Sequence, residues 1–395
     1  MYSLKNKIKY LVVFLMLISC VEPFEIKTID FESALVVEAT ITDELKNHVV
    51  KLSRAFKLEE DEVSYEQNAN VRVEDDFGNV YNFIEVEPGV YQSANEFEAV
   101  EGSAYALLIT TSDGRNYSSS SMELTETSEI GDVNVINEDG LGLAIYLNSF
   151  SDNLNARYYR YEYEETFKIV AQKWSPYKLE VVSDIQPYEV AIVEKNNNKE
   201  DQVCYRTQHS FGIIQAETNS LSENSISDFL IRYIEKNDEE ILYRYSILIK
   251  QYVQSQQSFS FYKTLNELSE TESIFSQNQP GFVNGNIRSL EDSNEKVIGF
   301  FEVSSLATKR IFFNRADYIS SGFSVDGCEY QAPELRLGRN SPLIEAIKAN
   351  TLMYYDNNDG KGPPVIPGGP YLMVEPECGD CRIRGTNIKP DFWID

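Results

Sequence analysis

Histidine is the scarcest chemistry-bearing residue in this chain. Only His48 and His209 occur in 395 residues, which excludes most metal-hydrolase and triad chemistry. There is no His-Glu-x-x-His, Gly-x-Ser-x-Gly, phosphate loop or dinucleotide fingerprint, so no cofactor is implied. His48 opens a strand-like run and His209 lies in a polar stretch, and each reads as structural or solvated rather than catalytic. Basic residues are also few. Lys and Arg number 35 against 63 Asp and Glu, a formal net charge of −28. Such a field repels nucleic acid and anionic headgroups, so neither is an expected partner, and it keeps a surface-exposed body soluble. Long apolar runs are absent beyond the first 20 residues.

That first stretch is informative. Lys5, Lys7 and Lys9 precede a short apolar run, Tyr10 to Ile18, which ends at Leu17-Ile18-Ser19-Cys20. The run is too short to span a bilayer and gives way at once to polar chain, the form of a signal peptide. The aliphatic-x-small-Cys ending has the form of a bacterial lipoprotein cleavage site. Residues 1–19 are therefore expected to be a signal peptide and residues 20–30 a tether, with acylated Cys20 as the link to a membrane. Four further cysteines, Cys204, Cys328, Cys378 and Cys381, form an even set. In an exported chain they are candidates for two disulfides, with three connectivities open. Cys378-Gly379-Asp380-Cys381 lacks the βαβ setting of a redox motif and the second close pair of a zinc site. Asp356 to Gly360 lacks calcium-ligand spacing and reads as a turn.

The body is rich in 25 Tyr and 21 Phe, residues that favour strands. From Leu35 to Ser119, short alternating runs are separated by turn signals such as Asp76-Phe77-Gly78-Asn79 and Pro88-Gly89. This spacing predicts an immunoglobulin-like β-sandwich over residues 31–125, with an acidic loop from Leu58 to Asn70. A polar stretch, Glu123 to Asn137, marks the boundary to a larger β-rich domain over residues 126–395 with one or two helices. Leu141, Leu143, Ile145 and Leu147 share one strand face. Tyr159, Tyr161 and Tyr163 share another, opposite Tyr158, Arg160, Glu162 and Glu164, and the tyrosine row is assigned to packing rather than to an exposed sugar or peptide ladder. Ala171 to Gln202 reads as a loop or hairpin insertion. Ile241 to Val253 alternates with Ile241, Tyr243, Tyr245, Ile247 and Ile249 inward. Phe261, Leu265 and Leu268 give Ser255 to Glu272 helical period. Strands return at Val297 to Val303 and Arg310 to Phe313, and Ser341-Pro342 starts a short helix. The Gly/Pro-rich tail from Asn357 is expected to be loop, pinned by disulfides.

Several of these segments, in order, carry a family resemblance. They are the lipobox at Cys20, Leu35-Val36-Val37-Glu38 before Ile41-Thr42-Asp43, Gly89-Val90-Tyr91, Tyr105 to Ile109 with Asp113 to Ser118, and Val203-Cys204-Tyr205. The second half adds Leu248 to Tyr252, Asn284 to Ile287, Val297 to Phe301, and Cys378 and Cys381 followed by Lys389-Pro390-Asp391-Phe392-Trp393. With them the chain resembles Bacteroidota outer-membrane lipoproteins of domain-of-unknown-function family 4249. The resemblance implies two β-rich domains at the outer membrane, in a setting similar to that of accessory lipoproteins of TonB-dependent receptors. It supplies no catalytic residue to carry over. Glu22 and Glu25 resemble a surface-export signal and favour the cell surface over the periplasmic face. The expected function is a ligand-binding or docking accessory of such a receptor, not an enzyme. The alternatives are a carboxylate-based hydrolase, whose acids meet in space rather than in sequence, and a structural or adhesive surface protein.

Overall fold

A computed structural model describes residues 34–55, 64–153, 155–196, 198–221, 223–270, 283–320, 327–336 and 340–395. Cys20, the expected signal peptide, the tether and the start of the Leu58–Asn70 loop lie outside the described residues. The chain is mainly β, as its composition predicts.

The first half follows the expected alternation. Leu35, Val37, Ala39 and Ile41 are buried on the strand Leu35–Thr42, as are Val71 and Val73, then Tyr105, Leu107 and Ile109. These strands do not build the two separate sheets of an immunoglobulin-like sandwich. Among the described residues they form one sheet of eleven strands around one core. Two of the eleven come from far along the chain. Val297–Ser304 runs parallel to Leu35–Thr42 in register from Leu35↔Val297 to Thr42↔Ser304, and Ile287–Ser289 pairs with Asn116–Ser119 at the opposite end. The two end strands meet. Asn286 Nδ2 donates to the Phe301 carbonyl at 2.9 Å, and the Phe301 N–H donates to Asn286 Oδ1 at 2.8 Å. The sheet over residues 31–125 is therefore closed by residues 285–304, and the chain does not divide into two consecutive units at residue 125.

Closure needs backbones to touch. Gly299 has φ +143°, and a Cβ there would lie 2.1 Å from the Val37 carbonyl oxygen. A Cβ on Gly285 would lie 1.5 Å from that of Gly299. Only glycine fits such an approach.

The two-layer packing expected at the N-terminus occurs in the second half. Glu129–Glu138, Gly142–Phe150 and Ser225–Glu235 form one sheet. Val203–His209, Ile214–Glu217, Tyr158–Val170, Arg244–Gln254 and Leu306–Asn314 form the other. Leu143, Ile145 and Leu147 face Tyr159, Tyr161, Tyr245, Ile247 and Ile249 across their shared core. The tyrosine row is thus core, as the packing assignment requires, while Leu141 lies exposed in the turn before its strand. Glu165 is buried within this core, accepting from Tyr245 Oη at 2.6 Å and Arg232 Nε at 3.1 Å.

A third lobe is built from the hairpin Tyr177–Ser183/Glu189–Glu194, the helix Pro342–Lys348 and the hairpin Met353–Asn357/Tyr371–Val374. The predicted insertion at 171–202 is this first hairpin, and Ser341 caps the predicted helix through the Ile344 N–H. The tail departs from expectation by contributing the strand Tyr371–Val374 and a single helical turn, Pro376–Gly379. Cys204 bonds Cys381 and Cys328 bonds Cys378, so the close pair bonds outward in two directions rather than to itself. Trp393 packs on Tyr205 and Phe312, and Phe392 under Arg310, fixing the chain end on the sandwich.

One buried ion pair joins the halves. Arg160, on the sandwich, donates to Glu302, on the first sheet, at 3.0 Å, and the two residues are 7% and 1% exposed. Arg160 also donates to Glu162, and its guanidinium lies 4.3 Å from the Tyr252 ring and 5.2 Å from that of Tyr262. Gln254 Nε2 and Ser258 Oγ donate to the other Glu302 oxygen, at 3.0 and 2.5 Å. The predicted helix, Gln256–Glu270, carries Ser258 and Tyr262 into this network and packs Phe261 and Leu265 on the first core.

Three outcomes are expected. Gly299→Ala should lower stability by about 1–3 kcal/mol from backbone strain alone, with the overlap on Val37 adding to it, read as a drop in the urea midpoint. Arg160→Met should cost about 3–5 kcal/mol by stranding Glu302. In a double-mutant cycle, adding Glu302→Leu should then cost far less than it does alone. His48 gives a pH dependence. It is 1% exposed, its Nε2–H donates to the Phe97 carbonyl at 2.9 Å, and burial, aided by Lys46, pulls its pKa down to about 4. The unfolded chain takes up a proton near pH 6.5, where the folded chain does not. Stability contributed by neutral His48 is therefore complete above that pH and falls as pH drops to about 4, by up to about 3 kcal/mol. His48→Gln should flatten that interval in urea titrations at stepped pH.

Candidate functional site

Strand alternation places Arg160 and Glu162 on the face of Tyr158–Val170 that looks away from the sandwich core. Register sets Tyr252 beside Arg160 and Lys250 beside Glu162. The outer face of the first sheet stands opposite, presenting Glu38, Thr40, Val49 and Lys51. Tyr262 and Leu265 extend along the helix, and the turn between Val203–His209 and Ile214–Glu217 forms the lip. These elements enclose a cleft of about 970 Å³ between the halves, within the size range of ligand pockets. Phe211, on that turn, is 89% exposed.

Each titratable group that faces the cleft with a shifted pKa is held more firmly in its ordinary charge state. Burial raises the pKa of Glu162, but the Arg160 charge, hydrogen bonds from Arg160 and Tyr252, and Lys250 outweigh it, so the carboxyl stays below its usual range. Burial would lower that of Arg160, yet Glu302, Tyr262 and Glu162 hold it above normal. Burial, reinforced by the neighbouring carboxylates, raises Tyr252 and Tyr262. These groups orient and attract; none is poised to exchange a proton near neutral pH. Among the described residues, Glu240 has its carboxyl pKa raised by burial and by Asp238 and Glu165, and it does not line the cleft.

The structure brings both histidines to the cleft walls without pairing them. The His48 ring turns into the first core against Phe97, 4.6 Å between centroids, while His209 stands exposed at the lip. The four disulfide cysteines lie away from the cleft and shape the third lobe instead. Asp356 and Asn357 end the strand Met353–Asn357 and residues 358–360 bend away from it, and among the described residues no group of three or more His, Cys, Asp or Glu is arranged to hold a metal ion. Sequence reasoning placed Arg160 and Glu162 on one face but missed Glu302, Tyr252, Tyr262, Gln254 and Ser258 as their partners. One signal was available: Glu302 interrupts an otherwise apolar strand, Val297-Ile-Gly-Phe-Phe-Glu-Val, and an acid in such a run needs a buried partner.

A second cavity of about 710 Å³ lies at one end of the first sheet. Its ions pair among themselves: Arg54 with Glu66 at 2.7 Å, and Arg115 and Tyr117 with Glu295 at 3.0 and 2.6 Å. It reads as a bonded wall rather than an open site.

Curated proteins offer no match to this chain. Among solved structures, a DUF4785 family protein from Legionella pneumophila aligns with 52% of this chain and 57% of its own length, at 9% identity and a TM-score of 0.19. The chain thus spans little more than half of that protein, and a likeness at this level carries no argument about fold or function. The family model described as "Domain of unknown function (DUF4249)" matches residues 21–310, and the chain belongs to that family.

Proposed function

We propose that this chain is a non-catalytic binding protein, tethered to the outer membrane through Cys20 and acting as an accessory of a TonB-dependent receptor, with the interdomain cleft as its binding surface. The observation that carries the reading is the charge state of the cleft. Its floor is a fixed lattice of ions and tyrosines drawn from both halves, preorganised for recognition and without a group tuned for proton transfer. Preorganised polar groups on rigid strands favour specific binding because little ordering remains to be done on association. The exposed Phe211 at the lip supplies an apolar anchor of the kind that dominates interfaces. A hydrolase would need a carboxyl of raised pKa in the cleft, and Glu240 lies elsewhere. Disulfide cross-links support an extracytoplasmic setting.

The test is purification of the native chain from gently solubilised membranes. The reading expects a TonB-dependent receptor to co-purify. Thr40→Trp, which fills the cleft from an outward strand position, and Phe211→Ser should each lower receptor recovery several-fold while the thermal midpoint stays unchanged. Cys20→Ala should move the chain to the soluble fraction. Absence of any receptor, or equal recovery with both cleft variants, overturns the proposal.

A further inference from the structure

We propose that the disulfide-pinned lobe carries a second binding site, separate from the interdomain cleft, for a small amphipathic carboxylate with an apolar chain. A pocket of about 540 Å³ opens between the hairpin Tyr177–Ser183/Glu189–Glu194 on one side and Pro342–Lys348 with Met353–Asn357 on the other. Leu179, Leu352, Met353 and Met373 give it an apolar floor. Its volume is that of small-molecule sites, and its walls are charged, with Lys178 paired to Glu180 and with Glu194, Lys195 and Arg382 around the floor. The two methionines are unbranched and polarizable, and they adapt to chains of variable shape.

Lys195 gives the pocket its polar end. Its side chain is only 9% exposed. One of its three N–H groups donates to Asp201 Oδ2 at 2.8 Å, and Trp174 Nε1 donates to the other oxygen at 2.7 Å. The remaining two N–H groups of Lys195 have no acceptor among the described residues. A desolvated ammonium with unused donors at the edge of an apolar pocket calls for oxygen acceptors, and a carboxylate supplies them with the matching charge. Asp201 is the ion-pair partner of that ammonium in the unliganded lobe.

The pocket walls are held in place covalently. The Cys381 N–H donates to the Asp201 carbonyl at 3.0 Å, and Cys381 is bonded to Cys204 of the sandwich. The Lys173 N–H donates to the carbonyl of Cys378, which is bonded to Cys328. The first cross-link therefore fixes the polar end relative to the sandwich, and the second ties the helical turn at Cys378 to the segment at Cys328, before any ligand arrives.

Calorimetric titration of the full disulfide-bonded chain with decanoate, and separately with decanol, tests the assignment. Decanoate is expected to bind saturably at one site and more tightly than decanol. Lys195→Met should weaken decanoate by about tenfold or more and decanol by less than about twofold, the size expected for one charge-assisted hydrogen bond. Because that variant also strands Asp201, Leu352→Trp provides an independent check: it fills the half-exposed side of the pocket, and both titrations should lose their heat. Thr40→Trp, in the cleft, should leave decanoate binding unchanged, so the two sites are tested apart. No saturable binding of decanoate, equal binding of decanol, or undiminished binding in Leu352→Trp overturns the proposal.

Discussion

The buried contact between Arg160 and Glu302 is the interaction on which the arrangement of the halves depends. Two charges taken out of water at a junction are costly unless every lone pair and donor finds a partner in fixed geometry. Here Glu302 is met by Arg160, Gln254 and Ser258, and Arg160 by Glu302, Glu162 and two tyrosine faces. These residues come from the first sheet, the sandwich and the connecting helix. Arg160 Nε is buried without a hydrogen-bond partner among the described residues, but making the other contacts at once selects one relative placement of the three, a constraint that apolar packing alone imposes less sharply.

The chain crossings around this pair are stitched in the same way. The Thr125 hydroxyl donates to the Val253 carbonyl and accepts from the Ser305 N–H, and the Leu306 N–H donates to Asp43 Oδ1. Val297–Ser304 belongs to the first sheet and Leu306–Asn314 to the sandwich, so one residue, Ser305, carries the chain between them. Such a short passage allows little independent movement, and the cleft beside it inherits its width from the junction rather than from a hinge.

Local structure was legible in the sequence because it is local. Alternation at Leu35 to Ile41, the tyrosine row at Tyr159, the helical period at Phe261 and the Ser341-Pro342 start all report on the residues that carry them. Closure of the first sheet is not of this kind. Short strands separated by turns fit a sandwich or a sheet joined end to end equally well, and the strand that decides between them pairs residue 35 with residue 297. Gly285 and Gly299 stand in the sequence without any mark of the backbone contact that requires them. The cysteines show the same limit. Their even number pointed to two disulfides, but Cys378 and Cys381 bond in different directions because extended Asp380 separates the helical turn of Cys378 from the one that Cys381 starts. Of the candidate site, Arg160 and Glu162 could be placed on one face, whereas their partners could be known only once three distant segments had met.

The two cavities are held by opposite means, and the difference follows from core size. The junction borders two large cores, so noncovalent ion pairing can be afforded there and gives a wall that is both rigid and charged. The third lobe buries few apolar side chains, with Leu179, Leu343, Tyr354 and Met373 at its centre. A core that small contributes little against the entropy of ordering the tail. Covalent links that restrict the unfolded chain supply what packing does not, typically about 2–4 kcal/mol each. The lobe is thus tied to an oxidising environment in a way the cleft is not. A pocket inside it keeps its shape only where Cys204–Cys381 and Cys328–Cys378 persist, which links any binding there to the compartment in which the chain folds.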